Sequence, residues 1–253
     1  MSDTSGSTNA TQEAHASPSS ILGELHANCS KALAQSVQNE NESMLGKSYL
    51  FLSDLEAWSF VRQGQPETLL YKTACHEYTI SLLNVCQGQY RNAFKGLRLV
   101  LELCLQGVYL SANLVLCEEW MKGEQDTIWA TLIDHDIGPL SHRFSKAFFP
   151  EVTSHVNNFR EMARSIYSEL SECIHGNIPN QILFPTMLVF NKDAFMLWHE
   201  KARIVRLIIQ FSFSVRYLNT ISDAEKPKVE AGLIDQLGHI EAVRAAFGGV
   251  KAV

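Results

Sequence analysis

The chain has 253 residues, of which 46% are hydrophobic and 19% are charged, and its formal net charge is −6. This balance argues against a dedicated binder of duplex DNA, because such proteins usually carry a strongly basic surface. No apolar run approaches the roughly 20 residues of a membrane-spanning helix. The N-terminus shows no basic segment followed by an apolar one, so we expect neither a membrane anchor nor a secretory signal.

Six cysteines are spread along the chain without a CxxC pair. Two of them, Cys86 and Cys104, lie inside apolar helical patterns, where a thiol behaves as a small hydrophobic side chain. Cysteines used in this way are typical of a reducing compartment. We therefore expect a cytoplasmic protein, and we expect it to use no cofactor.

The first segment, Met1–Ser19, is rich in serine, threonine, asparagine and alanine. It lacks large apolar side chains after Met1, so it cannot bury enough surface to offset the entropy lost on ordering. We predict a disordered tail over residues 1–19. Residues 20–253 are predicted to form one helical domain with its core in residues 66–219.

From Ser20 onward apolar residues recur with helical spacing, and no alternating strand pattern of useful length is present. This periodicity and the positions of proline, glycine and capping residues predict a series of helices. Their expected ranges are Ser20–Gln38, Glu42–Arg62, Pro66–Gln87, Tyr90–Asn113, Val115–Met121, Thr127–Asp134, Ser141–Phe149, Thr153–His175, a long helix capped by Asn191 and reaching Asn219, and Pro227–Phe247. The segment Asn177–Phe190 is predicted to be a loop or a short extended piece. The fold class is therefore an all-α, multi-helix bundle.

The predicted helix Tyr90–Asn113 is strongly apolar but carries one polar stripe. Its polar residues at positions 91, 95, 98, 102 and 106 follow the period of a helix. Arg98 and Glu102, four residues apart on this stripe, can form an ion pair. A solvated edge of a core helix would explain the stripe. The alternative is an inward-facing polar pocket, since buried charges persist only when they are paired.

A second polar row lies on the predicted helix Thr153–His175. It contains Arg164, Tyr167, Ser171 and His175, which follow one another at helical spacing. A histidine in the last turn stabilises the negative helix end when it is protonated. The alternative interpretation makes His175 a proton donor or acceptor, with Tyr167 and Ser171 orienting a ligand. Ser171 lies within a helix and lacks a GxSxG setting, so a serine hydrolase is not expected.

Possible metal ligands cluster in a predicted loop at Asp134, His135, Asp136 and His142. Neither HExxH nor EF-hand spacing is present. An Asp-His-Asp segment shortly before Gly-Pro is as easily explained by a turn. We therefore predict no metal site.

Basic side chains concentrate in the long helix after Asn191, at Lys201, Arg203, Arg206 and Arg216. Basic residues on so long a helix usually form a solvated face, and we predict such a face for this row. The tryptophans are predicted to belong to the core rather than to a surface that stacks on bases.

Two motifs together resemble a known family. The first is LRxxLE, formed by Leu97, Arg98, Leu101 and Glu102, and the second is YxxLSxxxHG, from Tyr167 to Gly176. Over about Gln89–Asn219 the chain is similar to bacterial helical proteins of the HEPN superfamily, which occur in toxin–antitoxin, abortive-infection and other phage-defence systems. The resemblance implies a helical bundle that often dimerises. In many members it also implies a metal-independent ribonuclease, with an arginine about five to seven positions before a histidine.

The chain departs from that arginine–histidine spacing. Positions 168–170 hold no arginine, and Arg164 lies about 16 Å from His175 along a helix axis. A ribonuclease of this type would therefore use Arg98, from the neighbouring helix, to stabilise charge on the phosphate and His175 to move the proton. Glu102 and Tyr167 would hold Arg98 in place.

These residues support three functional interpretations. The first is a cytoplasmic interaction or sensor module of a defence or toxin–antitoxin system, with a polar pocket between helices and either a protein partner or a second copy. The second is RNA cleavage by Arg98 and His175. The third is a polar cluster that only fixes helix packing. We further predict that Arg98 Nη lies within about 4 Å of Glu102 and close to the Tyr167–His175 row.

Overall fold

The computed structural model describes residues 17–175 and 183–249. These residues form α-helices and short 3-10 helices without a strand, so the predicted all-α bundle is confirmed. Residues 1–16 of the predicted tail lie outside the described residues, as do Gly176 and positions 177–182 of the predicted loop. Across the described ranges, none of the helices combines the length and the apolar character needed to cross a bilayer.

The α-helices are α1 (Pro18–Ser36), α2 (Glu42–Val61), α3 (Thr68–Cys86), α4 (Tyr90–Ser111), α5 (Leu114–Met121), α6 (Trp129–Leu132), α7 (His142–Phe148), α8 (Val156–Ile174), α9 (Lys192–Tyr217), α10 (Lys226–Leu237) and α11 (Glu241–Ala245). Short 3-10 helices at Asn39–Asn41 and Pro150–His155 lead into α2 and α8. The sequence placed most of these helices within a few residues of their observed bounds.

Side-chain caps fix the starts of two helices that build the core. Asn191 Oδ1 accepts the backbone N–H of Ala194 at 2.9 Å, so the cap predicted for α9 is confirmed. Ser141 Oγ accepts the backbone N–H of Phe144 at 3.1 Å at the start of α7. Each bond satisfies a donor that a helix N-terminus otherwise leaves unpaired.

The predicted last helix, Pro227–Phe247, is wrong, because two helices occupy that range. The first ends at Leu237, and Gly238 and His239 then turn the chain into α11. At Gly238 a Cβ atom would lie 2.5 Å from the Ile234 carbonyl oxygen. The backbone approaches that carbonyl so closely that glycine is the residue that fits. An amphipathic period alone does not reveal a turn that keeps the same face buried.

Helix α4 lies at the centre of the bundle and packs against α3, α8 and α9. Two glycines allow its closest approaches to α3. A side chain at Gly107 would overlap the ring of Tyr71, and one at Gly96 would lie 2.8 Å from Ser81 Cβ. The buried cluster around α4 runs from Phe51 to Val243 and is therefore wider than the core range 66–219 predicted from sequence.

Candidate functional site

The predicted cluster between α4 and α8 is present. Arg98 Nε donates to Glu102 Oε1 at 3.0 Å, and Arg98 Nη2 donates to the Tyr167 hydroxyl. The Arg98 guanidinium also lies over the Tyr167 ring, with Cζ 4.3 Å from the ring centroid. The prediction that Arg98 pairs with Glu102 and faces the polar row of α8 is therefore confirmed.

Trp129 of the short helix α6 is a further member of this cluster. Its ring stacks on Tyr167 with a centroid distance of 3.8 Å and an interplanar angle of 5°. Burial under these neighbours raises the pKa of the Tyr167 hydroxyl, and Glu102 raises it further. The Arg98 and Glu102 side chains each stay 30% exposed, so the cluster borders solvent.

His175 lies away from Arg98. Helices α4 and α8 are antiparallel. Arg91, seven positions before Arg98 on α4, donates from Nη1 to the His175 carbonyl at 3.1 Å. The eight positions between Tyr167 and His175 correspond to about 12 Å along α8. The structure thus places Arg91, and not Arg98, beside the end of α8, and the His175 side chain is exposed there.

The other two residues of the α8 row are also engaged elsewhere. Ser171 Oγ donates to the Tyr167 carbonyl at 2.7 Å, within its own helix. Arg164 is exposed and forms an ion pair with Glu161 at 3.7 Å. Of the six residues predicted for the site, the structure brings Arg98, Glu102 and Tyr167 together and leaves the remaining three apart.

The loop with possible metal ligands forms a turn. Asp134 Oδ1 accepts the backbone N–H groups of Asp136 at 2.8 Å and Ile137 at 3.0 Å. These hydrogen bonds, that of Ile137 first, lower the pKa of Asp134. Ligand atoms of Asp134, His135 and Asp136 lie within 4.8 Å of one another, but His135 and Asp136 are exposed. The turn accounts for the acidic side chains, as the sequence suggested.

A different part of the bundle contains a cavity of about 750 Å³. It lies between α2 and α9, and α10 forms one edge. This volume falls within the range of pockets that bind small molecules. The apolar part of its wall consists of Met44, Leu50, Phe51, Met196, Leu197 and Ala202.

The inner polar wall of the cavity joins α2, α3 and α9. Ser48 Oγ lies 2.6 Å from His199 Nδ1, and the Tyr78 hydroxyl donates to the Ser48 carbonyl at 3.1 Å. His199 is 7% exposed, and its burial lowers the pKa of the imidazole to about 4, so the ring is neutral at pH 7. Its Nε2 atom is buried and has no hydrogen-bond partner among the described residues. Such atoms are rare in folded proteins.

Arg206 forms the next polar group along the cavity wall. Its Nε donates to Asp54 Oδ2 at 2.6 Å and its Nη1 donates to Asp235 Oδ2 at 2.8 Å, so it ties α9 to both α2 and α10. Burial raises the pKa of Asp54 and outweighs the opposing effect of Arg206. Gly232 of α10 leaves room for the Asp54 carboxylate, because a side chain there would collide with it.

The prediction of a solvated basic face on α9 is therefore wrong for Arg206, which is only 5% exposed. Lys201 pairs with Glu169 of α8, and Arg216 Nε donates to Ser111 Oγ at 2.8 Å. Arg203 is exposed, as predicted. In the sequence, Arg206 stands between apolar residues, which indicates a buried position. A buried arginine persists only with partners.

One signal in the sequence could have indicated the cavity wall. His199, Arg206 and Gln210 follow one another on α9 at spacings of seven and four, which places them on one face. Gln210 continues the series by accepting a hydrogen bond from Trp58 Nε1 at 2.9 Å. Their partners on α2 could not be inferred, because they lie 151 or 152 positions earlier in the chain.

Comparison with protein-family models, curated proteins and solved structures found no match to this chain. The resemblance to the HEPN superfamily therefore stays a prediction.

Proposed function

We propose that this chain is a binding module that takes up a small molecule in the cavity between α2 and α9. The observation that carries the proposal is the cavity itself, with its volume of about 750 Å³ and its mixed wall of apolar side chains and a few fixed polar groups. Binding sites for small molecules commonly combine these properties.

Binding is a better interpretation than catalysis by the Ser48–His199 pair. A general base works best with a pKa near the operating pH, whereas burial lowers the pKa of His199 to about 4. In the part of the chain that the structure describes, Nε2 has no partner that could orient the ring. An activated nucleophile usually depends on a base that a third group holds in position.

The proposal extends to the setting expected from sequence. We place the module in the cytoplasm, where the free thiols seen among the described residues are stable. We further propose that it reports ligand binding to a protein partner or a second copy, within a bacterial defence or toxin–antitoxin system. Exposed apolar side chains on α1, at Ile21, Leu22 and Leu25, support an interaction with another protein.

The test is a binding titration with the neutral fluorophore N-phenyl-1-naphthylamine, whose emission rises in apolar surroundings. We expect saturable binding to the wild type and a marked loss in Met196→Trp, which fills the cavity from its wall. Met121→Trp is the matched control, because Met121 lies on α5 and is 58% exposed, compared with 47% for Met196. Absence of saturable binding, or an equal loss in both variants, would contradict the proposal.

A further inference from the structure

The cavity wall carries acidic and basic side chains in equal number. Its acids are Asp193, Glu200 and Asp235, and its bases are Lys47, Arg203 and Arg206. His199 adds no charge at neutral pH, because its burial lowers the pKa to about 4. The wall as a whole therefore offers no excess charge that would compensate a charged ligand.

The buried cation of the wall, Arg206, already has its partners within the protein. Arg206 is held by Asp54 and Asp235, and Asp235 also accepts from Gln236 Nε2 at 2.7 Å. Exchanging these partners for a ligand anion would leave the Asp54 carboxylate buried without its counter-charge, which is strongly unfavourable. A carboxylate or phosphate on a ligand therefore finds no free cation at the inner end.

The remaining four charges lie at the rim. Lys47, Asp193, Glu200 and Arg203 are exposed, and none of them forms an ion pair with another residue in ranges 17–175 and 183–249. Two are positive and two are negative. The two charges that attract an ionic ligand are therefore offset by the two that repel it. Exposure to water weakens both effects further.

The rest of the wall is largely apolar and adaptable. Phe51 and Leu197 provide fixed surface, and Met44 and Met196 provide flexible thioether chains that adjust to ligand shape. Moving a charged group onto this surface carries a large desolvation penalty, whereas an apolar group gains from it. The wall therefore favours ligands by their apolar area and disfavours them by their charge.

We infer that the cavity selects an uncharged, largely apolar small molecule, and discriminates against carboxylates, phosphates including nucleotides, and amines. This inference rests on the proposed function of the same cavity and names the class of its ligand. Medium-chain alcohols have the chemistry that fits it, because they combine an apolar chain with one neutral hydroxyl group.

The test compares three probes with the same eight-carbon chain, octan-1-ol, octanoate and octylamine, as competitors of bound N-phenyl-1-naphthylamine at pH 7. We expect octan-1-ol to displace the fluorophore at a concentration about tenfold lower than either ion, which corresponds to about 1.4 kcal/mol. If octanoate or octylamine competes as well as the alcohol, the inference is overturned while the proposed function stands. If the fluorophore does not bind at all, the proposed function fails and this inference fails with it.

Two rim variants test the charge argument directly. Lys47→Glu makes the wall net negative and should improve competition by octylamine relative to octan-1-ol. Glu200→Lys makes it net positive and should improve competition by octanoate. Both positions are exposed, so neither change disturbs the core. If the concentration of each ion needed for displacement, relative to that of octan-1-ol, is the same in both variants as in the wild type, charge balance does not select the ligand, and the inference is overturned.

Discussion

His199 shows how burial sets the chemistry of a single side chain. The imidazole is neutral because burial lowers its pKa from 6.5 to about 4, and its single hydrogen-bonding partner among the described residues is Ser48. A neutral imidazole with one hydrogen-bonded nitrogen is suited to a structural role in the wall of the cavity. It is poorly suited to proton transfer at pH 7.

The lowered pKa predicts a pH dependence of stability. Between pH 6.5 and pH 4 the unfolded imidazole binds a proton that the folded one resists, so the free energy of unfolding falls as the pH falls. From pH 7 to pH 5 the expected loss due to His199 is about 2 kcal/mol. Urea unfolding at both pH values should show this loss in the wild type and a smaller one in His199→Gln.

The raised pKa of Asp54 acts in the opposite direction over part of this range, so the comparison between variants isolates the histidine. Met121→Gln is the control, because Met121 is exposed and does not titrate. It should keep the wild-type pH dependence. An unchanged slope in His199→Gln would contradict the burial argument.

Arg206 predicts a large effect of a single substitution. Arg206→Met removes the partner of the buried Asp54 carboxylate and should lower the free energy of unfolding by about 3–5 kcal/mol. Asp235→Asn removes the partner that is 54% exposed and should cost less than about 1 kcal/mol. Chemical denaturation measures both. Similar losses in the two variants would show that burial does not distinguish the two ion pairs.

At the scale of helices, the sequence predicted the contacts of Arg98 with Glu102 and with the α8 row, but it missed the contacts of α9 with α2. The Arg98–Glu102 pair could be predicted because both residues lie on α4, four positions apart. The start of α9 could be predicted because Asn191 is a local cap. Arg206 was misassigned to a solvated face, because its burial depends on α2 and α10 packing over it. The period of a helix shows which residues share a face, but it does not show which other helices pack on that face.

A glycine of α4 and a glycine of α2 predict opposite outcomes for the same substitution. Gly107→Ala would drive a methyl group into the ring of Tyr71 and should destabilise the protein by about 1–3 kcal/mol. Gly46→Ala on α2 meets nothing within 4 Å and should stabilise the helix by up to about 1 kcal/mol. Thermal unfolding of the two variants checks this. A stabilised Gly107→Ala protein would mean that α3 and α4 are free to separate.

The arrangement of α4 and α8 also bears on the predicted ribonuclease. Arg98 bonds to Tyr167, about two helical turns from His175, so the two groups do not meet at one phosphate in this arrangement. We expect total RNA incubated with the purified protein and EDTA to stay intact, and His175→Ala and Arg98→Ala to behave like the wild type. RNA degradation that is abolished in both well-folded variants would instead support the nuclease.

At the scale of the whole molecule, the sequence predicted the fold class but not the location of the cavity. Helical period and the lack of alternating strands are enough for an all-α bundle. The cavity arises where α2 and α9 run side by side in the same direction, joined at Ser48–His199 and Trp58–Gln210. That pairing is a property of the packed chain, and nothing within either helix alone specifies it.

The pairing of α2 with α9 also sets the order in which contacts can form during folding. Residues 42–61 leave the ribosome long before residues 192–217, and their contacts span about 150 positions of chain. Contacts of such separation form late, because the loop between them must first be closed. During synthesis the face of α2 that contacts α9 therefore stays uncovered until α9 has been made. Under the proposed function, a ligand bound between α2 and α9 would stabilise their contact once both helices are present.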